Sequence, residues 1–117
     1  MTNSSASTEL PLEISAREAI DLVASGMRMV DVREQHEWDG LHAPESVLLP
    51  MSQLQSRSQE LPADQPMLVL CHSGARSERV AVALRDAGYN AATVVGGILG
   101  WQAAGGSVVT SAPGTRA

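Results

Sequence analysis

Short apolar segments without polar alternation recur along the chain, and segments with helical spacing separate them. Four of these apolar segments are Met29–Val32, Ser46–Pro50, Met67–Leu70 and Ala92–Val95. A strand that is apolar at successive positions is typical of a parallel sheet that helices cover on both faces. With a short first strand at Glu13–Ile14, the pattern predicts an α/β fold with three layers (α/β/α) and a central five-stranded, mainly parallel sheet.

The helical segments carry recognisable start and stop signals. Ser15 and Glu18 match a capping box, in which the serine hydroxyl caps the helix and the glutamate reaches back. Gly26 is a natural C-terminal stop for this helix. Further helices are predicted over Ser77–Ala87 and Ile98–Ala104, with shorter helical turns around residues 33–38 and 52–57.

Composition and charge narrow the class of protein. The chain has 117 residues, enough for one domain, and we expect it to span residues 12–109 between flexible segments at 1–11 and 110–117. The core must be mostly aliphatic because Phe is absent, so Trp38 and Trp101 are expected to be packing anchors. We expect a monomer or a dimer.

The net charge of −5, with no basic run, argues against nucleic acid or an anionic membrane surface as a partner. No stretch approaches the roughly 20 apolar residues of a membrane helix, and Met1–Leu10 does not resemble a secretory signal. We therefore expect a cytoplasmic protein. With one cysteine, dispersed histidines and no Cys-x-x-Cys motif, we expect no metal site and no cofactor.

The single cysteine, Cys71, lies where the fourth predicted strand, Met67–Leu70, ends and a loop of small residues leads into a helix. Inward-facing amides in such a loop form an anion nest, and the helix adds its positive end. A thiol in this position is expected to ionise easily and to act as a nucleophile. A persulfide on Cys71 would suit the same ring of donors. The candidate substrate-binding residues are the six that follow Cys71: His72, Ser73, Gly74, Ala75, Arg76 and Ser77.

Individual side chains of this loop suggest further roles. Arg76 can hold an anion through two parallel hydrogen bonds. His72 could steer a substrate or point to solvent, and Ser77 could donate to sulfur or cap the helix. Asp31 and Arg33 are expected to form a structural charge pair, and Gly96-Gly97 a turn that brings backbone close to the loop.

These residues resemble the rhodanese family of sulfurtransferases. The loop matches the form Cys-x-x-Gly-x-Arg-Ser at Cys71, Gly74, Arg76 and Ser77. Residues 30–38 resemble the family's Asp-Val-Arg segment with its acidic-aromatic pair, and residues 96–101 resemble its Gly-Gly-Ile-x-x-Trp signature. The likeness covers about residues 12–109. It departs at residues 41–46, where the glycines of the usual Gly-His-Ile-Pro-Gly-Ala are missing from their positions.

The resemblance implies a sulfurtransferase of the thiosulfate:cyanide type, with Cys71 as catalytic nucleophile. Its partners would be a small-molecule sulfur donor and a thiol or cyanide acceptor, with a sulfur-relay protein as a further partner. Two alternatives stay open: a persulfide carrier loaded by a partner protein, and a regulatory module that binds an anion without turnover. Related phosphatases and arsenate reductases have their Arg six positions after the Cys, whereas Arg76 is five after Cys71, which disfavours that activity.

Overall fold

The structure, a computed structural model, describes residues 9–110. Five strands form one sheet: β1 (Glu13–Ile14), β2 (Arg28–Asp31), β3 (Val47–Leu48), β4 (Met67–Leu70) and β5 (Ala91–Val94). Their order across the sheet is β1-β5-β4-β2-β3, and all four neighbouring pairs run parallel. Strand β4 is therefore central, and the two edge strands are only two residues long.

Four α-helices connect successive strands and a fifth follows β5: α1 (Ala16–Ala24), α2 (Gln35–Gly40), α3 (Leu54–Arg57), α4 (Ala75–Asp86) and α5 (Gly97–Ala103). Two short 3₁₀ turns, Met51–Gln53 and Ser58–Glu60, flank α3. The predicted cap of α1 is present, since the Ser15 hydroxyl accepts a hydrogen bond from the Glu18 amide at 3.1 Å. Within residues 9–110, no helix has the length and apolar character needed to cross a membrane.

Successive side chains of β4 enter two separate apolar clusters. Leu68 and Leu70 pack in a cluster with residues of α1 and α5, while Met67 and Val69 pack in a cluster with residues of α3 and α4. All four side chains are buried, which explains why the strand is apolar at every position. The predicted three-layer α/β/α arrangement is confirmed.

Leu10, in the segment expected to be flexible, contacts the folded part of the chain. Leu10 is buried, its amide donates to Asn90 Oδ1 at 2.8 Å, and its carbonyl accepts from Arg85 Nη1 at 2.7 Å. Residues 1–8 and 111–117, which make up most of the segments expected to be flexible, lie outside the described residues. The domain boundaries stay a prediction.

The two tryptophans have different environments. Trp101 is 2% exposed in the α1/α5 cluster, and its indole Nε1 donates to the Ser107 carbonyl at 2.8 Å. Trp38 is only partly buried, on α2, where its ring stacks on His42 with centroids 3.8 Å apart. The expectation of a core anchor is confirmed for Trp101 and wrong for Trp38, because α2 lies outside both apolar clusters.

Truncation of the two rings should separate these roles. We expect Trp101→Ala to lower the free energy of unfolding by about 3–5 kcal/mol, the usual cost of emptying a large core site. The matched variant Trp38→Ala should cost about 1 kcal/mol, since it empties no enclosed volume. Urea unfolding measures both values, and equal losses would contradict this assignment.

Candidate active site

Cys71 directly follows β4, at the carboxyl end of the central strand. Its side chain continues the alternation of Met67 and Val69, so the sulfur lies on the α4 side of the sheet, and the residue is 1% exposed. The thiol is free. The carboxyl end of a parallel sheet is where open α/β folds bind ligands, and Cys71 lies at that end.

A backbone amide already points at the sulfur. Gly74 N donates to Cys71 Sγ at 3.0 Å, and Gly74 is the residue that caps the start of α4. The turn requires a φ of +116° at this position, which glycine adopts without strain. The amides of the first turn of α4 lack intrahelical acceptors and carry partial positive charge, so this end of the helix favours an anion near Sγ.

Helix α5 holds the opposite side of the loop. Ile98 N donates to the Cys71 carbonyl at 2.7 Å, and Leu99 N donates to the His72 carbonyl at 3.2 Å. The N–H and C=O of a planar trans peptide point in opposite directions, so the amides of His72 and Ser73 face away from α5. The packing of α5 thus sets the direction of the loop amides.

Gly97 makes this contact possible. It has a φ of +61°, and a methyl group at its α-carbon would overlap the carbonyls of Cys71 and His72. The prediction that Gly96-Gly97 brings backbone close to the loop is confirmed. What the sequence did not reveal is that the contacting atoms on the loop are carbonyl oxygens.

Arg76 has a protein partner. Its Nη1 and Nη2 donate to Glu37 Oε1 and Oε2 of α2 at 2.9 and 2.8 Å. Glu37 Oε1 also accepts from the Glu34 amide at 2.9 Å, at the start of α2. The two parallel bonds that we expected Arg76 to offer to a substrate are therefore made with a carboxylate 39 residues away in the sequence.

Both members of this pair are charged over a wide pH range. The hydrogen bonds from Arg76 lower the pKa of Glu37 from 4.5 to about 2, against the effect of burial, and the bond from the Glu34 amide adds to the decrease. The same hydrogen bonds raise the pKa of Arg76, and the charge of Cys71 acts on it in the same direction. The pair is thus neutral in sum and lies within electrostatic reach of the sulfur.

Ser77 is a buried connector between α4 and the sheet. Its hydroxyl lies 2.6 Å from Thr93 Oγ1 on β5 and donates to the Gly74 carbonyl at 3.2 Å. Helix α4 begins at Ala75, two residues before the predicted start, because Gly74 takes the cap position. Ser77 is therefore not the cap that was considered for it.

The other loop side chains face outward. His72, Ser73 and Ala75 are exposed, and an open pocket of about 240 Å³ lies beside the loop. The pocket is lined by Ser73, Gly74 and Ala75 and carries two carboxylates, Glu13 and Glu78. The pocket on this side of the loop is therefore not cationic.

The expected charge pair of Asp31 and Arg33 is present and buried. Arg33 Nε and Nη2 donate to the Asp31 carboxylate, with Nη2 at 2.8 Å from Oδ2, and Nη2 also donates to the Leu41 carbonyl at 2.7 Å. In the segment that departs from the usual glycine pattern, His42 forms an antiparallel bridge with Val109. Among residues 9–110, no group of three or more His, Cys, Asp or Glu side chains could hold a metal ion.

Comparisons with known proteins agree with one another. A family model described as Rhodanese-like domain matches residues 15–104. The chain is 32% identical to the thiosulfate sulfurtransferase GlpE of Coxiella burnetii over 93 residues, which cover 78% of this chain and 87% of that protein. A rhodanese-related protein of known structure from Thermoplasma volcanium has a TM-score of 0.79 at 29% identity, covering 85% of this chain and 98% of its own.

Larger relatives contain the same unit. The chain is 32% identical to the putative sulfur carrier protein YrkF of Bacillus subtilis over 85% of its own length. It is 34% identical to the probable adenylyltransferase/sulfurtransferase MoeZ of Mycobacterium tuberculosis over 75% of its length. The chain spans 53% of YrkF and 24% of MoeZ.

Substitution of Gly97 tests the contact between α5 and the loop. We expect Gly97→Ala to lower the free energy of unfolding by about 2–4 kcal/mol, because the methyl adds overlap to the strain of a positive φ. Gly88→Ala is the matched control, since Gly88 has a φ of +100° with no atom within 4 Å of the added methyl. Gly88→Ala should lower the free energy of unfolding by about 1–2 kcal/mol, from backbone strain alone. Equal losses in urea unfolding would show that the contact is not tight.

The Glu37–Arg76 pair predicts a pH-dependent contribution to stability. Because the pKa of Glu37 is about 2 in the folded chain and near 4.5 otherwise, the contribution is present above pH 4.5 and is lost as the pH falls toward 2. Near neutral pH we expect the free energy of unfolding of the wild type to exceed that of Glu37→Gln by about 1 kcal/mol. The difference is small because both side chains of the pair are partly exposed. Urea unfolding measured at a series of pH values from 2 to 7 gives the difference, with Asp39→Asn as a control on the same helix. A difference that does not vary with pH would contradict the prediction.

Proposed function

Because the chain belongs to the rhodanese-like domain family of sulfurtransferases and sulfur carriers, we propose that it transfers sulfane sulfur through a persulfide on Cys71. The donor is thiosulfate or a persulfide, and the acceptor is cyanide or a thiol. One observation carries the proposal: the amide of Gly74 donates to Cys71 Sγ at 3.0 Å, at the positive end of α4. This arrangement stabilises negative charge on the sulfur that must act as nucleophile.

In the first half of the reaction, the Cys71 thiolate attacks the outer sulfur of thiosulfate. A new S–S bond forms to Cys71, the S–S bond of thiosulfate breaks, and sulfite leaves with the electron pair of that bond. The product is an enzyme persulfide with its negative charge on the outer sulfur. The amides at the start of α4, from Gly74 to Ser77, are the donors for this charge, since those of the helix's first turn have no intrahelical acceptor.

In the second half, the acceptor attacks the outer sulfur of the persulfide. With cyanide, a C–S bond forms, the S–S bond to Cys71 breaks, and thiocyanate leaves as the Cys71 thiolate is regenerated. With a thiolate, the product is the persulfide of the acceptor. No electrons enter or leave the cycle, so neither half requires a redox cofactor.

The loop residues have three kinds of role in this proposal. The amides of residues 74–77 donate to the anion, while the exposed His72 and Ser73 contact donor or acceptor at the loop mouth. The Ser77 side chain positions the start of α4, because its hydroxyl is hydrogen-bonded to Thr93 and to the Gly74 carbonyl. The Arg76 side chain contributes no net charge, because its guanidinium is paired with the Glu37 carboxylate.

A second candidate is a persulfide carrier that a partner protein loads and unloads. It is favoured by the likeness to YrkF, named a putative sulfur carrier, of which this chain spans 53%. The same Cys71 chemistry would apply, with a protein persulfide in place of thiosulfate. An anion-binding module without turnover is less well supported, because it gives the amide-bonded Cys71 sulfur no purpose.

Mass spectrometry of the intact protein tests the proposal directly. Brief exposure to thiosulfate should add the mass of one sulfur atom to Cys71, and cyanide should remove it as thiocyanate appears. Cys71→Ser should keep the fold and lose transfer completely, because the chain has one cysteine. Transfer that survives in this variant would exclude the persulfide mechanism.

The same measurement separates the two candidates. A carrier should gain no sulfur from thiosulfate or a small alkyl persulfide but should gain one from a protein persulfide. Failure to load from every donor, with a Cys71 that an alkylating reagent still modifies, would exclude both candidates and leave the anion-binding module.

A further inference from the structure

We infer that Glu37 sets the donor selectivity of the Cys71 loop by neutralising Arg76, which reduces the advantage of dianionic donors over singly charged ones. The inference rests on the proposed function for its kinetic consequence, whereas its electrostatic basis can be tested without sulfur transfer. Glu37 acts through Arg76 and is therefore a positioning residue, not a catalytic one.

Arg76 and Glu37 form a bidentate ion pair. Both terminal nitrogens of Arg76 donate to the two oxygens of one carboxylate, at 2.9 and 2.8 Å. The third hydrogen bond, from the Glu34 amide, holds the carboxylate at the start of α2. The Glu37 side chain is 23% exposed and that of Arg76 31%, so the pair lies at the protein surface but is partly shielded from water.

The charged residues next to this pair do not restore the positive charge of Arg76 that Glu37 neutralises. Arg33, which acts electrostatically on Glu37, is itself paired with Asp31, and Asp31 acts electrostatically on Arg76. These two arginines and two carboxylates sum to zero. On the other side of the loop, the pocket beside Gly74 carries carboxylates and no arginine. An anionic donor therefore meets backbone amides and no uncompensated guanidinium from these residues.

The electrostatic energy between Arg76 and an anionic donor is proportional to the product of their charges. Removing the charge of Glu37 leaves Arg76 with a net unit of positive charge, and a dianion gains twice the interaction energy that a monoanion gains. Thiosulfate is the dianionic donor. Methanethiosulfonate is the matched monoanionic donor, because it presents the same kind of sulfane sulfur with a methyl group in place of one oxyanion.

The first test measures the charge near Cys71 by alkylation. Iodoacetate carries one negative charge and iodoacetamide none, so the ratio of their rates with Cys71 reports the local potential and cancels changes in nucleophilicity. We expect Glu37→Gln to raise this ratio about threefold and Arg76→Gln to lower it about threefold at low ionic strength, with smaller changes at high salt. The double variant should return close to the wild-type ratio.

Asp39→Asn is the matched control. It removes the same charge from α2, two residues from Glu37, where Asp39 is exposed and accepts a hydrogen bond from Gln35. Its ratio should equal that of the wild type. If Asp39→Asn shifts the ratio as much as Glu37→Gln does, or if Glu37→Gln leaves it unchanged, the inference is wrong.

The second test is kinetic. Glu37→Gln should lower KM for thiosulfate about 3–10-fold and KM for methanethiosulfonate by roughly the square root of that factor, with kcat changed less than either. A rise in KM for thiosulfate would show instead that Glu37 holds Arg76 for the substrate, and would overturn the inference. If no sulfur transfer is found at all, the proposed function fails, while the alkylation ratios still decide the role of Glu37.

Discussion

The hydrogen bonds from α5 to the carbonyls of Cys71 and His72 determine the shape of the loop, and the other features of the site depend on them. They direct the following amides away from α5, and they require a residue without a side chain at Gly97. The loop then turns at Gly74, whose amide reaches the Cys71 sulfur. A helix that contributes no side chain to the chemistry thus organises the backbone that does.

Four charged side chains near the site form two ion pairs. Asp31 with Arg33 stabilises the end of β2, and Glu37 with Arg76 joins α2 to the first turn of α4. With both arginines compensated, the attraction for an anion comes mainly from oriented amides. Amides provide a short-range field with a fixed direction, and this suits a charge confined to one sulfur better than it suits a diffuse anion.

The sequence predicted the architecture well, because the strands carry strong local signals. Strand β4 was predicted with its observed bounds, since Met67–Leu70 is apolar at every position and is followed by small residues. The start of α4 was predicted two residues late because the role of Gly74 depends on a positive φ that composition does not show. The partnership of Glu37 and Arg76 could not be predicted, because it joins residues 39 apart through the packing of two helices. Trp38 was assigned to the core from its residue type alone, but its helix lies outside both apolar clusters.

The edge strands β1 and β3 are two residues long, and this limits how another protein can approach the domain. A longer exposed edge offers a row of unpaired backbone groups to which a foreign strand can add. Here there is almost no such row on either side of the sheet. A protein that delivers or collects sulfur would therefore have to recognise side chains and loop backbone around Cys71, where contact and transfer occur at the same place, and would gain little from extending the sheet.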